Sequence, residues 1–234
     1  LMQQLLTGKR RFPEFVSSSL VRETRFGPRP KDWTYLHIGE FAKEVTERNE
    51  GNVQIPVLSC TKHAGLVSSL EYFGKRVFSI DTSNYKVVKR NEFAYATNHI
   101  EEGSIGLLDF LDKGLVSPMY TVFRTSEELD NRFMYALFKT DLYRHIFQVN
   151  TSASVDRRGS LRWNEFKKIQ VALPSLEEQR RIAAVLNTCD EELRLLRAQV
   201  EAFRLQKKGL MQRLLTGDLR VPESFLKHHE GGKA

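Results

Sequence analysis

Apolar positions recur in alternating steps of four and three along the last long stretch of the chain, residues 175–217. Ile182, Leu186, Cys189, Leu193, Leu196, Val200, Phe203, Lys207, Leu210 and Leu214 fall on one line, and nine of these ten are apolar. Such spacing is a heptad seam, which predicts a long helix paired with another helix. Ser175 followed by Glu178 has the pattern of a capping box, and Pro174 stands just outside it, so the start is well marked. Gly217 and Pro222 mark the end. At 1.5 Å per residue the helix measures roughly 60 Å. The globule upstream needs no such rod for its own core, so most of the seam is expected to face a partner. Lys207, the one charged seam position, suits a device that fixes register or oligomeric state.

Upstream the period changes. Residues 53–59, 76–80, 92–96, 104–108 and 117–124 are short runs rich in β-branched and aromatic residues between Gly, Asn, Asp and Lys, which predicts strands. Pro56 and Pro118 place theirs at edges or strand starts. A last strand is expected over 167–174, where Ile169, Val171 and Leu173 alternate. Residues 39–49 predict a short helix. Thr125 with Glu128 predicts a capped helix to about Val149, with Leu129, Phe133, Leu137, Ile146 and Phe147 inward. Residues 16–32 read as a linker and 150–160 as a polar loop. Without regular βαβ alternation a doubly wound sheet is not expected. The fold class is therefore α+β: a globular mixed α/β domain followed by one long coiled-coil helix. Its boundaries are 1–19 for an entering helix end and linker, 20–174 for the domain, 175–217 for the helix and 218–234 for a polar tail.

A repeat sharpens this organisation. LMQQLLTGKRRFPE at residues 1–14 returns as LMQRLLTGDLRVPE at 210–223, with ten of fourteen positions identical. Chance does not produce that agreement. The chain reads as one period of a duplicated protein, entering on the end of one long helix and leaving on the end of the next.

Composition changes the picture little. The net charge of +7 is compatible with nucleic acid, but the excess is spread along the chain and forms no basic arm. No run is long and apolar enough to predict a membrane span. Cys60 and Cys189 read as reduced, small hydrophobic residues of a cytoplasmic protein. No Walker loop, GxGxxG, HExxH or CxxC pair is present, and neither metal nor cofactor is expected. One catalytic pattern remains: Asp156, Glu165 and Lys167 have the degenerate spacing of a Mg²⁺ nuclease. Trp163 and Phe166 beside them read as packing residues. For DNA reading, the candidates are loops that carry donors: Thr61, Lys62 and His63; Asn98 and His99; and Asn150, Ser152, Ser154, Arg157 and Arg158. Arg pairs with guanine and Asn with adenine, while Lys and Ser hold phosphates. The plainer reading of each is a solvated loop. Lys75–Arg76 and Lys89–Arg90 suit strand-edge protection or phosphate contacts.

Several stretches together resemble one family. DWTYLHIGEFAKEV, IPVLSCTKHAG, EEGSIGLL, LVSPMYTVFR, and above all RRGSLRWNEFKKIQVALPSLEEQRRIAAVL running into the heptad helix, are similar to the specificity (S) subunit of type I restriction–modification systems. The similarity is to a second target recognition domain with its following conserved helix, the C-terminal half of such a subunit. The resemblance implies a non-catalytic protein that reads one half of an interrupted site in double-stranded DNA. It implies that the conserved helices pair antiparallel as a spacer. It further implies modification (M) subunits, which bind S-adenosylmethionine and methylate adenine, and restriction (R) subunits as partners. A full S subunit carries two recognition domains and this sequence carries one, so a truncated subunit, a recombinant piece and a natural half-subunit all remain open. In each case the seam is expected to find a second copy, as a homodimer, or the M subunit. The rival expectations are a stand-alone Mg²⁺ nuclease and a coiled-coil scaffold without DNA function.

Overall fold

A computed structural model describes residues 2–24, 27–151 and 159–221. The chain divides into two compact units, 1–184 and 185–234, and the mixed α/β architecture ending in a long helix agrees with the sequence expectation. Helix α1 spans Met2–Leu6, and strands β1 (Val21–Arg22) and β2 (Arg29–Pro30) follow in the stretch expected to be a linker. Then come β3 (Thr34–His37), α2 (Ile38–Phe41), β4 (Ala42–Val45), β5 (Leu58–Thr61), β6 (Gly65–Ser68) and α3 (Ser69–Phe73). Next are β7 (Lys86–Lys89), β8 (Phe93–Ala96), β9 (Ile105–Leu107), β10 (Lys113–Val116) and β11 (Tyr120–Thr125). The chain continues through α4 (Asn131–Phe138), α5 (Asp141–Asn150), α6 (Trp163–Phe166), β12 (Gln170–Leu173) and α7 (Leu176–Thr216).

The centre of the first unit is an antiparallel sheet in the order β4–β11–β8–β9. Every residue of β8 is buried, because the sheet is covered on both faces. Alternation sorts the side chains. Ala94 and Val122 join Leu58, Leu66, Val88, Leu108 and Val116 on one side, where the β5–β6 hairpin and the β7–β10 ribbon lie. Phe93 stacks on Phe123 at 4.9 Å on the other side. There Tyr95 meets Phe166 at 4.8 Å, and Phe138 and Phe147 close the cluster around Phe166 at 6.0 and 5.7 Å. Each fully buried phenylalanine contributes about 1.5–3 kcal/mol, so these rings, more than any surface pair, hold α4, α5 and α6 to the sheet. Gly106 is required where β9 passes β6, since a Cβ there would strike the backbone and side chain of Leu66.

Three expectations are corrected. The helix expected at 39–49 is one turn, α2, after which Ala42–Val45 pairs with β11 as an edge strand. The helix expected from Thr125 is two helices. Asp130 caps the first by accepting from the Phe133 N–H at 2.8 Å, and Thr140 caps the second by accepting from the Tyr143 N–H at 3.3 Å. The Thr125 hydroxyl instead engages Asn131. Residues 76–80 form no strand; Ile80 is 81% exposed and has no strand beside it.

Helix α7 begins inside the first unit. β12 pairs with β3, so the strand feeding the helix lies against the strand that opens the domain. Ile182 and Ala183 are buried in the core. Only half of the expected capping box forms: Ser175 accepts from the Glu178 N–H at 3.3 Å. The Glu178 carboxylate takes Arg11 instead, accepting from its Nε at 2.9 Å and Nη2 at 2.8 Å. The same guanidinium donates to Asp32 at 2.8 Å and to the Phe15 carbonyl at 2.7 Å, and lies 5.9 Å from the Trp33 ring centre. The entering segment is thereby clasped to the start of the long helix. In the second unit the seam residues Leu193, Leu196, Val200, Phe203 and Leu210 are each about half exposed, at 48–59%.

Candidate nucleic-acid interface

Two of the three loops expected to read DNA meet on one side of the first unit. The β5–β6 hairpin tip presents Lys62 and His63, both exposed. The turn 97–103 presents Asn98 and His99. Lys139, at the end of α4, ties the two by donating to the Lys62 carbonyl at 2.6 Å and the Gly103 carbonyl at 2.7 Å. Burial lowers the Lys139 pKa, Cys60 gives partial relief, and Arg144 pushes in the same direction as burial. That lysine is structural glue and no free cation. Thr61 is similarly engaged, donating to the Gly65 carbonyl at 3.2 Å and accepting from the Ala64 N–H at 3.0 Å, which shapes the hairpin tip. His99 Nδ1 lies 3.2 Å from Glu102.

Just past the third loop, the Leu161 N–H donates to the Thr97 carbonyl at 2.8 Å. Asn150 stands apart. Its side-chain amide donates to the Ile146 carbonyl at 2.7 Å, and it lines another cavity together with Leu6, Arg29, Tyr35 and Lys168. Ser152, Ser154, Arg157 and Arg158 lie outside the described residues, as does Asp156. Of the nuclease pattern, Glu165 is paired with Lys168 at 2.9 Å, and the Lys167 carbonyl accepts from the Gly39 N–H at 2.8 Å. His99, Glu101 and Glu102 bring ligand atoms within 4.8 Å of one another, on an exposed turn with no enclosed ligand set.

Beside the 97–103 turn opens a cleft of about 590 Å³ that sequence reasoning missed. Glu44 from β4, Lys86 from β7, Asn98, Met119, and Arg162 and Asn164 from the start of α6 line it. Arg162 and Asn164 are exposed, and Met119 is 62% exposed. Lys86 donates to the Tyr120 carbonyl at 2.6 Å. Burial lowers its pKa, against the pull of Glu44 and alongside the push of Arg48. The legible signal was RWN directly after the polar loop: two donors flanking a packing tryptophan.

Comparisons with known proteins bear on this geometry. The family model described as type I restriction modification DNA specificity domain matches residues 30–202. The putative type I restriction enzyme MjaX specificity subunit of Methanocaldococcus jannaschii is 20% identical over 230 residues, covering 93% of this chain and 53% of the relative. The MjaVIII specificity subunit of the same organism is 25% identical over 213 residues, covering 86% of this chain and 46% of the relative. The chain thus spans about half the length of the curated relatives it matches. The crystal structure of the HsdS subunit from Thermoanaerobacter tengcongensis aligns with a TM-score of 0.52 at 18% identity, covering 93% of this chain and 50% of that one. A structure explaining complex assembly and conformational transition of the type I R-M system aligns at 0.51 with 17% identity, covering 93% and 52%. At these identities the two structures speak for the fold.

Proposed function

The chain belongs to the type I restriction–modification DNA specificity family, and from that premise we propose that it reads one half of an interrupted site in double-stranded DNA and sets the spacing to a second reader through α7. Specificity subunits are the non-catalytic members of these systems, and the relatives this chain matches are named specificity subunits. In this reading residues 20–174 are the recognition domain, and Lys62, His63, Asn98, His99, Arg157 and Arg158 contact the duplex. Helix α7 pairs antiparallel with the corresponding helix of a second reader, which for this chain by itself is a second copy. The paired helices support the S-adenosylmethionine-dependent M subunits, and R subunits join that core, in the cytoplasm.

One observation carries the reading. A helix that starts in the core of a DNA specificity domain keeps an apolar seam half exposed from Leu193 to Leu210, and burying such a row removes roughly 25 cal/mol per Å² of unfavourable contact with water. The test is sedimentation of the purified chain over a hundredfold concentration range, alone and with a type I M subunit, followed by methylation of duplex DNA by the mixture. Pairing, M-subunit binding and site-dependent methylation are expected. A chain that stays single and binds no M subunit refutes the helix assignment; a complex that methylates without site preference refutes the reader assignment.

A further inference from the structure

We infer that the cleft between β4, β7, the 97–99 turn and α6 reads base edges, with Asn98, Arg162 and Asn164 as specificity-determining residues outside the sequence-expected hairpin tip. The assignment deepens the DNA-reading proposal above and rests on it. Two things distinguish this cleft from the rest of the surface. First, its polar groups are mixed in sign: Lys86 and Arg162 donate, Glu44 accepts, and Asn98 and Asn164 do both. A site that only grips phosphates gains nothing from a carboxylate, which repels the DNA backbone. A base-pair edge in the major groove presents donors and acceptors side by side, and it needs the complementary mixture.

Second, the three side chains assigned to reading are free. Several other cations of the first unit are already engaged: Lys89 by Glu47 at 2.6 Å, Arg90 by Asp112 at 3.1 Å, and Lys139 by two carbonyls. The side chains of Asn98, Arg162 and Asn164 have no hydrogen-bond partner among the described residues. They come from separate segments held by the Leu161–Thr97 backbone bond at 2.8 Å and the Thr97 hydroxyl on the Met119 carbonyl at 3.1 Å. Met119, 62% exposed on the same rim, supplies the apolar surface that a thymine methyl requires. The cleft therefore combines an Arg for guanine, two amides suited to adenine, a carboxylate suited to the cytosine amino group and an apolar rim.

The test is selection of the full chain on a pool of randomised duplex DNA, followed by the same selection with Arg162→Ala and Asn164→Ala. Both side chains are exposed, and circular dichroism and thermal melting check that the fold is kept. Each variant is expected to lose preference at one or two adjacent base pairs, and to bind the wild-type sequence about 5- to 150-fold more weakly. Non-specific affinity and the salt dependence of binding should stay as in the wild type. A variant that selects the same sequence as the wild type overturns the assignment. So does one that loses specific and non-specific affinity together with a shallower salt slope, since that is the signature of a phosphate contact. A wild-type chain that selects no sequence at all removes the DNA-reading proposal, and this one with it.

Discussion

Replacing Arg11 by alanine probes the contact that fixes the entering segment to the long helix. Glu178 is 1% exposed and receives two hydrogen bonds from the guanidinium, at 2.9 and 2.8 Å. Removing one partner of such a buried pair leaves an uncompensated carboxylate and costs about 3–5 kcal/mol. The Phe15 carbonyl also loses its donor, and Trp33 its overlying cation. For a domain of this size each kcal/mol moves the melting temperature by roughly 2–4 °C, so a fall of about 6–20 °C is expected. The assay is urea and thermal unfolding followed by tryptophan fluorescence, with Trp33 reporting on the clasp itself. The repeat supplies a matched control: Arg220 occupies the position of Arg11 in the second copy and is exposed. Arg220→Ala should cost the isolated chain no more than about 0.5 kcal/mol. The pH dependence has a definite sign. Burial pushes the Asp32 carboxyl up, but its hydrogen bonds from Arg11 and Ser17 outweigh this and leave it below the ordinary value. A depressed folded pKa means the contribution is complete above the unfolded value, near pH 4, and is lost as the pH falls through the folded value. The difference between wild type and Arg11→Ala should therefore shrink below about pH 4. Equal costs for Arg11→Ala and Arg220→Ala, or a cost for Arg11→Ala below about 1 kcal/mol, refute the reasoning.

Asp in place of Leu196 or Phe203 should abolish self-association in sedimentation while leaving the unfolding of the first unit within about 0.5 kcal/mol, because both positions are exposed in the single chain. Burial pushes the Cys60 thiol up to about 12; at pH 8 a soluble alkylating agent should modify Cys189 in the native chain and Cys60 only on unfolding, as read by peptide mass. Helix pairing should then protect Cys189. Gly106→Ala should destabilise by about 1–3 kcal/mol in urea unfolding, since its methyl group would meet the Leu66 backbone.

Segments whose local pattern and tertiary setting agree were legible. Helix α7 could be read because one period persists over its whole length, and β8, β11 and β12 because apolar residues fill strands that are buried in the fold. The stretch after Gly39 misled because Ala42–Val45, with its Lys and Glu, has helical composition; pairing with β11 overrides that preference and leaves the two charges on exposed positions. The split between α4 and α5 turned on which of several capping side chains would win, and Asp130 and Thr140 do so with the backbone already bent. Of the interface, the hairpin tip and the 97–103 turn stood out as polar loops. The cleft did not, because Glu44, Lys86, Asn98, Met119 and Arg162 sit in five separate segments, and no spacing rule links them before the sheet forms.

The duplicated helix end separates what a local sequence specifies from what its surroundings add. Both copies build the same turn. Gly8 and Gly217 take positive φ, at 73° and 80°, the position where glycine costs least. The Arg10 N–H donates to the Gln4 carbonyl at 3.0 Å, and its counterpart Leu219 donates to the Arg213 carbonyl at 3.0 Å. Each threonine turns its hydroxyl back onto the helix, Thr7 to Gln3 at 2.7 Å and Thr216 to Arg213 at 3.3 Å. Burial is where they part: Leu6 is 1% exposed and its counterpart Leu215 is 81% exposed. The backbone turn therefore needs no packing to form. Leu5 and Leu6 are both buried in the first copy, whereas in the second Leu214 is half-buried and Leu215 stands in water; such residues are costly on a surface and useful in a contact. Their retention at the exposed end follows if that end, like the first, works against a recognition domain.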